Sequence, residues 1–346
     1  MSNAKLAPGH APSADLLTPL DWSLAFELVR VTQGAAAAAS SWVGRGSKND
    51  ADAAAVTTMR RLLRSVPVNG TVVIGEGEKD DAPMLFNGEQ VGQLSATTSC
   101  DVAVDPIDGT RLTANGLGGA LSVLAVAEPG AMYDPSAVFY MDKLVTDADA
   151  ASYVDLTRPV SDNVRAVARA KGRSAPEITV AVLDRPRHED LVAELRATGA
   201  RVALLSDGDV AGAIAAATPG SPIDLLVGAG GTPEGVLAAC AIRTLGGVIQ
   251  GRLRPRDNTE RRKALEAGHD LDLVLSTEDL VSGRDVIFVA TGVTDGDLLR
   301  GPRSSLSHVT THSVVMQSRD RTIDFVESTA PLEVFSRCTE QPVGED

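Results

Sequence analysis

The chain has 346 residues, of which 43% are hydrophobic and only 3% aromatic, and its formal net charge is -14. This length and apolar content predict a folded globular protein of one large or two smaller domains. The negative charge and the scarcity of aromatic side chains argue against a nucleic-acid partner. The apolar runs are too short to span a bilayer, and the N-terminus lacks the apolar core of a signal peptide. We therefore expect a cytoplasmic protein with no membrane partner.

Cysteine and histidine are sparse. The three cysteines, Cys100, Cys240 and Cys338, are far apart, and none has a second cysteine or a histidine at zinc-ligand spacing. The five histidines form no HxxxH-type pair on a predicted helix. We expect reduced structural thiols, and any metal would have to be bound by oxygen ligands.

The N-terminal half, residues 13–160, follows a stretch at 1–12 that we predict to be disordered. Helical spacing of apolar residues predicts a long helix through the Ala-rich run at 35–39 and a second helix in "KNDADAAAVTTMRRLLRSV", capped by Asn49 or Asp50. Strands are predicted in "GTVVIG", in "SCDVAVDP", which we expect to end at Pro106, and in "GGALSVLAVAE". The half therefore consists of two helices followed by a sheet.

The C-terminal half, residues 161–330, has a different pattern. The strand runs "ITVAVLD", "ARVALLSD" and "PIDLLVGAG" alternate with helical patterns, which predicts parallel strands joined by crossover helices. "VIFVATG" predicts another strand, and residues 306–328 predict a closing antiparallel hairpin that turns near 318–321. The boundary between the halves falls in the polar stretch at 155–170, and residues 331–346 form a tail.

Acidic residues occur where predicted strands and helices begin or end. In "DVAVDPIDGTRL", Asp105 and Asp108 follow a strand, Glu76 follows another, and Asp52 and Glu234 lie near helix starts. Each could also have a plain structural role. Asp52 could be a solvated acid in a first helical turn, the Glu76 segment a hydrophilic turn, and Glu234 a residue that merely follows a helix cap at Thr232.

Taken together, these carboxylates suit a hard divalent cation. Mg²⁺ prefers oxygen ligands and takes only a few carboxylates, which leaves room for water and a substrate phosphate. Gly109 permits a tight approach, and Thr110 brings a hydroxyl beside the carboxylates, where it can orient a water molecule. The crowding of Asp101, Asp105 and Asp108 is then explained by a shared metal.

The segment "DPIDGT" matches the D-P-I/L-D-G-S/T signature of the inositol-monophosphatase and fructose-1,6-bisphosphatase superfamily of Mg²⁺-dependent phosphatases. More narrowly, "VVIGEGEKDDAPML", "CDVAVDPIDGTRLTANG", "VFYMDKLV", "RPRH", "DGDVA", "GAGGTPEGV" and "VIFVATGVTDGDLL" resemble the class II fructose-1,6-bisphosphatases of bacteria in order and spacing. The resemblance covers nearly the whole chain. It implies an α/β protein of the layered α+β kind, with alternating layers of helices and sheets.

The resemblance also implies a set of site residues. The implied ligands of Mg²⁺ or Mn²⁺ are Asp52, Glu76, Asp105, Asp108 and Glu234, and the implied catalytic residues are Thr110, Asp80 and Asp108. The implied substrate-binding residues are Asp108, Gly109, Thr110, Tyr140, Arg185, Pro186, Arg187, Asp207, Gly208, Asp209 and Gly231. Asp108 departs from some members of the class, which carry glutamate there, and its shorter reach could weaken a metal contact.

Without the family resemblance, the substrate residues could have simpler roles. Arg185 and Arg187 follow a strand with one proline between them, so they could point to the same side and grip a phosphate, or they could be surface charges before a helix. Asp207 could be only an N-cap, Thr110 could only cap the next helical turn, and Tyr140 could be a core aromatic.

Three functions are compatible with these observations. The resemblance implies hydrolysis of the 1-phosphate of fructose 1,6-bisphosphate, in gluconeogenesis, by direct attack of a metal-activated water. A related phosphatase acting on sedoheptulose 1,7-bisphosphate or inositol monophosphate is the alternative. A non-catalytic sugar-phosphate-binding protein is a remote third, because "VGAGGTPEG" lacks dinucleotide-binding spacing. We also expect a homo-oligomer, a dimer or a tetramer.

Overall fold

The computed structural model describes residues 20, 22–76, 84–331 and 333–334. The predictions for residues 1–12 and for most of the tail fall outside this range. Two helices open the described chain, α1 (Trp22–Ser40) and α2 (Lys48–Leu63). The predicted cap of α2 at Asn49 or Asp50 is wrong: the cap residue is Ser47, whose hydroxyl accepts a hydrogen bond from the Asp50 amide.

The remaining elements follow in chain order. Up to residue 146 they are β1 (Asn69–Ile74), β2 (Gln90–Gly92), β3 (Ser99–Asp108), α3 (Thr110–Asn115), β4 (Leu121–Ala127) and β5 (Tyr140–Thr146). Next come α4 (Val160–Ala170), β6 (Thr179–Leu183), α5 (Glu189–Ala197), β7 (Arg201–Leu205), α6 (Val210–Ala217), β8 (Leu225–Gly231), α7 (Thr232–Leu245) and β9 (Val248–Arg254). The last are α8 (Asn258–Glu266), α9 (Thr277–Leu280), β10 (Val286–Gly292), β11 (Arg303–Ser304), β12 (His308–Gln317) and β13 (Thr322–Pro331).

The strands form two sheets. The first has the order β11-β12-β10-β4-β3-β1-β2, with β13 paired to β12. The second has the order β7-β6-β8-β5-β9. β6 is parallel to both β7 and β8, which confirms the predicted parallel strands with crossover helices, and β12 and β13 form the predicted antiparallel hairpin. β5 was not predicted as a strand; it lies antiparallel between β8 and β9.

β3 does not end at Pro106 as predicted but continues to Asp108. Proline lacks the N–H that a regular ladder needs, so it is tolerated in a strand only where pairing is interrupted. The pairing of β3 with β4 shifts register between Asp105 and Asp108, so Pro106 lies where the ladder is irregular. The irregular pairing falls between the two aspartates of the cavity, as is common for bulges beside functional sites.

Buried side chains divide the molecule into layers. Leu28, Val56 and Met59 of α1 and α2 pack on one face of the first sheet. The other face, through residues such as Phe288, packs with α6 and α7 against the second sheet. Helices α4 and α5 cover the outer face of the second sheet. The order helix, sheet, helix, sheet, helix confirms the layered α+β fold.

Sheet membership does not follow the division at residue 160. β5 precedes that boundary and joins the second sheet, whereas β10–β13 follow it and return to the first sheet. The division of the chain into two halves near residue 160 stays a prediction. Within the described residues, no helix is long and apolar enough to cross a membrane.

Cys100 and Cys240 are buried and free, and burial raises the pKa of each thiol to about 12. Both are therefore unreactive as thiolates at neutral pH. Cys338 lies outside the described residues.

Candidate active site

A cavity of about 460 Å³ opens where the carboxyl ends of β1, β3 and β8 meet the loop that follows β7. Its lining includes Asp52, Glu76, Asp105, Asp108, Gly109, Thr110, Tyr140, Arg185, Arg187, Asp207, Gly208, Asp209, Gly231 and Glu234. The volume suits a small-molecule ligand. The structure thus brings nearly all of the predicted site residues together. Pro186 is exposed and is not part of the lining, and Asp80 lies outside the described residues.

Carboxylates form one wall of the cavity. Asp105 Oδ1 accepts a hydrogen bond from the Ile107 amide at 3.1 Å, and Asp108 Oδ2 accepts one from the Val210 amide at 3.2 Å. Burial raises the pKa of Asp105 well above its usual value, and the charges of Asp108, Glu76, Glu234 and Asp52 raise it further. These side chains therefore repel one another in a place where water screens them poorly.

Asp52 and Glu234 do not have the plain structural roles considered for them. Asp52 is only 8% exposed and is not a solvated acid of the first helical turn. The cap position of α7 belongs to Gly231 rather than Thr232, and Glu234 lies in the first turn behind it. A Cβ added at Gly231 would lie 1.8 Å from Glu234 Oε2, so only glycine lets this carboxylate fold back toward the cavity.

The donor chemistry of this wall fits a hard divalent cation. The Oε2 atom of Glu234 is buried and has no hydrogen-bond partner among the described residues. Burial raises the pKa of Glu234, and Lys143 offsets part of that rise. Clustered carboxylate oxygens are the ligands that Mg²⁺ and Mn²⁺ prefer. In the described ranges no three acidic, cysteine or histidine side chains already converge closely enough to hold an ion, so the fit rests on the donor set that shares the cavity.

Thr110 is the first residue of the short helix α3, directly after the β3 aspartates. The cap position is taken by Gly109, whose φ of 93° requires the left-handed conformation that glycine adopts without strain. Thr110 therefore does not cap the turn. Its side chain lies half-buried in the cavity lining beside Asp108.

Arg185 and Arg187 form a second part of the cavity lining, which we call the arginine wall. Arg187 donates from Nε and Nη2 to the Ala229 carbonyl at 3.2 and 2.7 Å, and its guanidinium lies 4.8 Å from the centre of the Tyr140 ring. Arg185 pairs with Asp207 and donates to the Ser206 carbonyl at 2.6 Å. Both guanidinium groups are thus held by the protein, unlike freely solvated surface charges.

Tyr140 and Asp207 belong to the same wall. Tyr140 is half-buried at the cavity and is not a core aromatic. Asp207 is not an N-cap, since α6 begins at Val210 and Asp207 accepts instead from the Arg111 amide at 3.0 Å. Asp207 therefore joins Arg185 to the start of α3 within the cavity lining.

Sequence reasoning missed two residues near the cavity. Lys143 is 1% exposed and pairs with Asp209 at 2.8 Å. His188 is buried; its Nδ1 bonds the Leu183 carbonyl at 2.7 Å, and its Nε2 accepts from the Ala229 amide at 2.8 Å. Both lie in segments that carry the family resemblance, Lys143 in "VFYMDKLV" and His188 in "RPRH", but neither residue was singled out.

The comparisons with known proteins agree with this geometry. The family model described as bacterial fructose-1,6-bisphosphatase, glpX-encoded, matches residues 22–330. The chain belongs to this family. It is 44% identical over 318 residues to the class 2 fructose-1,6-bisphosphatase 1 of Escherichia coli, covering 88% of this chain and 94% of the relative. The class 2 fructose-1,6-bisphosphatase of Shigella flexneri matches with the same identity and coverage.

Membership of this family makes the protein a metal-dependent phosphatase. In this chain the cavity is the candidate site for that chemistry, because its lining combines clustered oxygen donors with two arginines, a side chain suited to phosphate. The roles of the individual residues are proposals, developed next.

Proposed function

We propose that the protein hydrolyses the 1-phosphate of fructose 1,6-bisphosphate to give fructose 6-phosphate and phosphate. The observation that carries this proposal is one cavity whose lining combines clustered carboxylates with two arginines. A substrate with a phosphate at each end can place one phosphate at each wall. The activity named for the relatives supports the same substrate.

At the acidic wall, the residues that would hold the metal are Asp52, Glu76, Asp105, Asp108 and Glu234. A bound Mg²⁺ or Mn²⁺ would supply Lewis-acid activation of water and would neutralise charge on the phosphoryl group. The Thr110 hydroxyl, next to Asp108, orients the attacking water by accepting or donating a hydrogen bond. Asp80 is the further acid that the family resemblance assigns to this step.

At the arginine wall, Arg187 and Arg185 bind the phosphate that does not react. Two nitrogens of Arg187 are committed to the Ala229 carbonyl, which leaves Nη1 for a phosphate oxygen. The Tyr140 ring beneath the guanidinium fixes its plane. Asp207 and Asp209 accept hydrogen bonds from the sugar hydroxyls, so the sugar is aligned between the two walls.

The two-walled cavity favours a bisphosphate over inositol monophosphate, which would leave the arginines without a phosphate. Sedoheptulose 1,7-bisphosphate also carries two phosphates and is the second candidate. A non-catalytic sugar-phosphate-binding protein would have no use for the crowded carboxylates, whose burial is unfavourable without a cation.

The test is phosphate release from these three esters and from fructose 6-phosphate, each with Mg²⁺, with Mn²⁺ and with a chelator. We expect fructose 1,6-bisphosphate to give the highest kcat/KM and to release one phosphate per molecule. Activity must disappear with the chelator and return with added metal. Turnover that survives exhaustive chelation would overturn the metal-dependent mechanism, and a preference for inositol monophosphate would overturn the substrate. The homo-oligomer and the cytoplasmic location stay predictions.

A further inference from the structure

Lys143 of β5 is a charged side chain at the centre of the molecule. It is 1% exposed, and its stem packs against α7. A Cβ added at Gly235 would lie 3.2 Å from its Cε, and one added at Gly230 would lie 3.0 Å from its Nζ. Two glycines therefore leave the space in which the ammonium meets Asp209 of the cavity lining.

The ammonium donates to Asp209 Oδ2 at 2.8 Å, and the Asp209 side chain is itself only 6% exposed. Asp209 occupies the cap position of α6, where an aspartate normally accepts a hydrogen bond from the helix. It makes no such bond. The Val210 amide donates instead to Asp108 Oδ2 at 3.2 Å. Asp108 of β3 therefore accepts the hydrogen bond at the start of α6, and the Asp209 carboxylate pairs with Lys143.

This exchange of partners links Asp209, the proposed sugar contact, to the carboxylates of the metal wall. Asp209 and Glu234 repel Asp108, and the positive charge of Lys143 counteracts that repulsion. The same charge opposes the unfavourable burial of Glu234. One lysine therefore contacts a residue of the sugar site and acts electrostatically on two carboxylates of the metal wall.

We propose that Lys143 is a positioning residue. It holds Asp209 in the cavity lining, where this carboxylate can accept hydrogen bonds from the sugar, and its positive charge offsets part of the negative charge of the acidic wall. The proposal rests on the function proposed above, with Asp209 as a sugar contact. Lys143 touches neither the substrate nor the reacting phosphate. It acts by fixing where one carboxylate lies and how strongly its neighbours repel.

The test replaces Lys143 by methionine, which keeps the length of the stem and removes the charge. We expect KM for fructose 1,6-bisphosphate to rise about 10-fold with kcat little changed, because the sugar contact is made equally in the ground and transition states. Mn²⁺ titrated calorimetrically without substrate should bind about 3-fold or more tightly, because a repelling charge is gone. A merely structural role would weaken substrate and metal binding together.

Two further variants keep the test decisive if Lys143→Met folds poorly. Asp209→Asn should also raise KM but should weaken Mn²⁺ binding, because Lys143 then faces the metal wall without its partner. The double variant Lys143→Met/Asp209→Asn should regain thermal stability over Lys143→Met while KM stays high. The matched control is Lys171→Met, which removes another buried lysine, hydrogen-bonded to Asp147 and Asp224, and should leave KM and the Mn²⁺ affinity unchanged.

An unchanged KM in Lys143→Met, or parallel weakening of substrate and Mn²⁺ binding, would overturn the positioning role. Failure of the proposed function has a different signature. The unmodified protein would then release no phosphate from fructose 1,6-bisphosphate, while the Mn²⁺ titrations would still report the opposite effects of Lys143→Met and Asp209→Asn.

Discussion

Two buried groups of carboxylates in this molecule differ in what balances their charge. In the structural cluster, Asp147 and Asp224 meet Lys171 at 2.6 and 2.8 Å, and Asp224 also meets Arg173 at 3.1 Å. Asp224 Oδ2 accepts from the Thr179 amide as well. Two cations thus face two acids, and the cluster ties α4 to the second sheet as an internal cross-link.

The cavity cluster consists of Asp105, Asp108, Asp209 and Glu234, and in the described part of the chain Lys143 is the cation that pairs with it. Burial and mutual repulsion raise the pKa of Asp105 and Asp108 well above the usual range. Such an excess of buried negative charge destabilises the fold. We infer from this contrast that the carboxylates paired with cations stabilise the fold, whereas those of the cavity, which outnumber their cationic partner, form the proposed metal site.

The largest effect on activity is expected from a substitution of Glu234 in the cavity cluster. Glu234→Gln keeps the shape of the side chain and removes its charge, so kcat/KM with metal should fall about 10⁴-fold, or roughly 5.5 kcal/mol of transition-state stabilisation. Without metal, the variant should melt at a higher temperature than the unmodified protein, because one repelling charge is gone. Calorimetry in chelator checks this. A lower melting temperature would make Glu234 a structural residue.

The control for Glu234 is the same kind of change in the structural cluster. Asp224→Asn leaves Lys171 and Arg173 with less compensation, and we expect a loss of about 3–5 kcal/mol in unfolding free energy. Its kcat at a temperature where it stays folded should be unchanged. Opposite stability effects of the two substitutions support the contrast, and a stabilising Asp224→Asn would remove it.

The second prediction concerns Thr110, beside the cavity cluster. Thr110→Val keeps the shape and deletes the oxygen, so kcat should fall about 10²-fold or more if the hydroxyl orients water, with KM and stability little changed. Thr110→Ser, which keeps the oxygen, should retain much of the activity. Single-turnover rates separate the two variants. Near-normal kcat in a folded Thr110→Val would leave water orientation to the metal ligands alone.

The sequence predicted the parts of this comparison that depend on local pattern. Acids at strand and helix ends, the parallel strands β6–β8 and the β12–β13 hairpin all follow from hydrophobic periodicity and turn residues. The family resemblance supplied the arginine wall. The predicted strands, hairpin and acid positions match the structure because they depend on residues that are close together in the sequence.

The features that escaped prediction depend on contacts between distant segments. Nothing near Lys143 in the sequence shows that Gly230 and Gly235 make room for it, nor that Asp108 replaces Asp209 at the start of α6. Likewise β3 continues past Pro106 only because its pairing with β4 shifts register there. Sequence pattern therefore located the acidic residues but could not show which of them have cationic partners.

The third prediction concerns the arginine wall, where the charged residue Arg187 is exposed rather than buried. Arg187→Ala should raise KM for fructose 1,6-bisphosphate by about 10- to 100-fold and change kcat far less, because a charge-assisted hydrogen bond to a non-reacting phosphate is lost. The variant should also lose its preference for bisphosphate over monophosphate. A fall in kcat at unchanged KM would assign Arg187 to the reacting phosphate instead.

The smallest effect is expected at His188, a buried side chain whose ring is held by two hydrogen bonds and has no charged partner in them. Its ring is neutral, because Nε2 accepts from the Ala229 amide while Nδ1 donates to the Leu183 carbonyl. Burial lowers its pKa below 6.5, and the charges of Arg187 and Arg254 lower it further, although the bond to Leu183 opposes this. Between the folded and unfolded pKa values, the unfolded chain binds more protons. His188 therefore contributes its full stability above about pH 6.5, and this contribution is lost as the pH falls through the folded pKa.

His188→Gln tests this balance, because the amide can donate to the Leu183 carbonyl and accept from the Ala229 amide at any pH. Between pH 7.5 and 5.5, the melting temperature of the unmodified protein should fall more than that of the variant, by about 2 °C. The Ala229 carbonyl accepts from Arg187, so a change at His188 could also move the arginine wall. Because glutamine keeps the hydrogen bond to the Ala229 amide, KM for the bisphosphate should rise only slightly in the variant. Identical pH dependence in both proteins would show that the His188 ring is not held neutral. A large rise in KM would instead show that the orientation of the Ala229 peptide, and with it the arginine wall, depends on this imidazole.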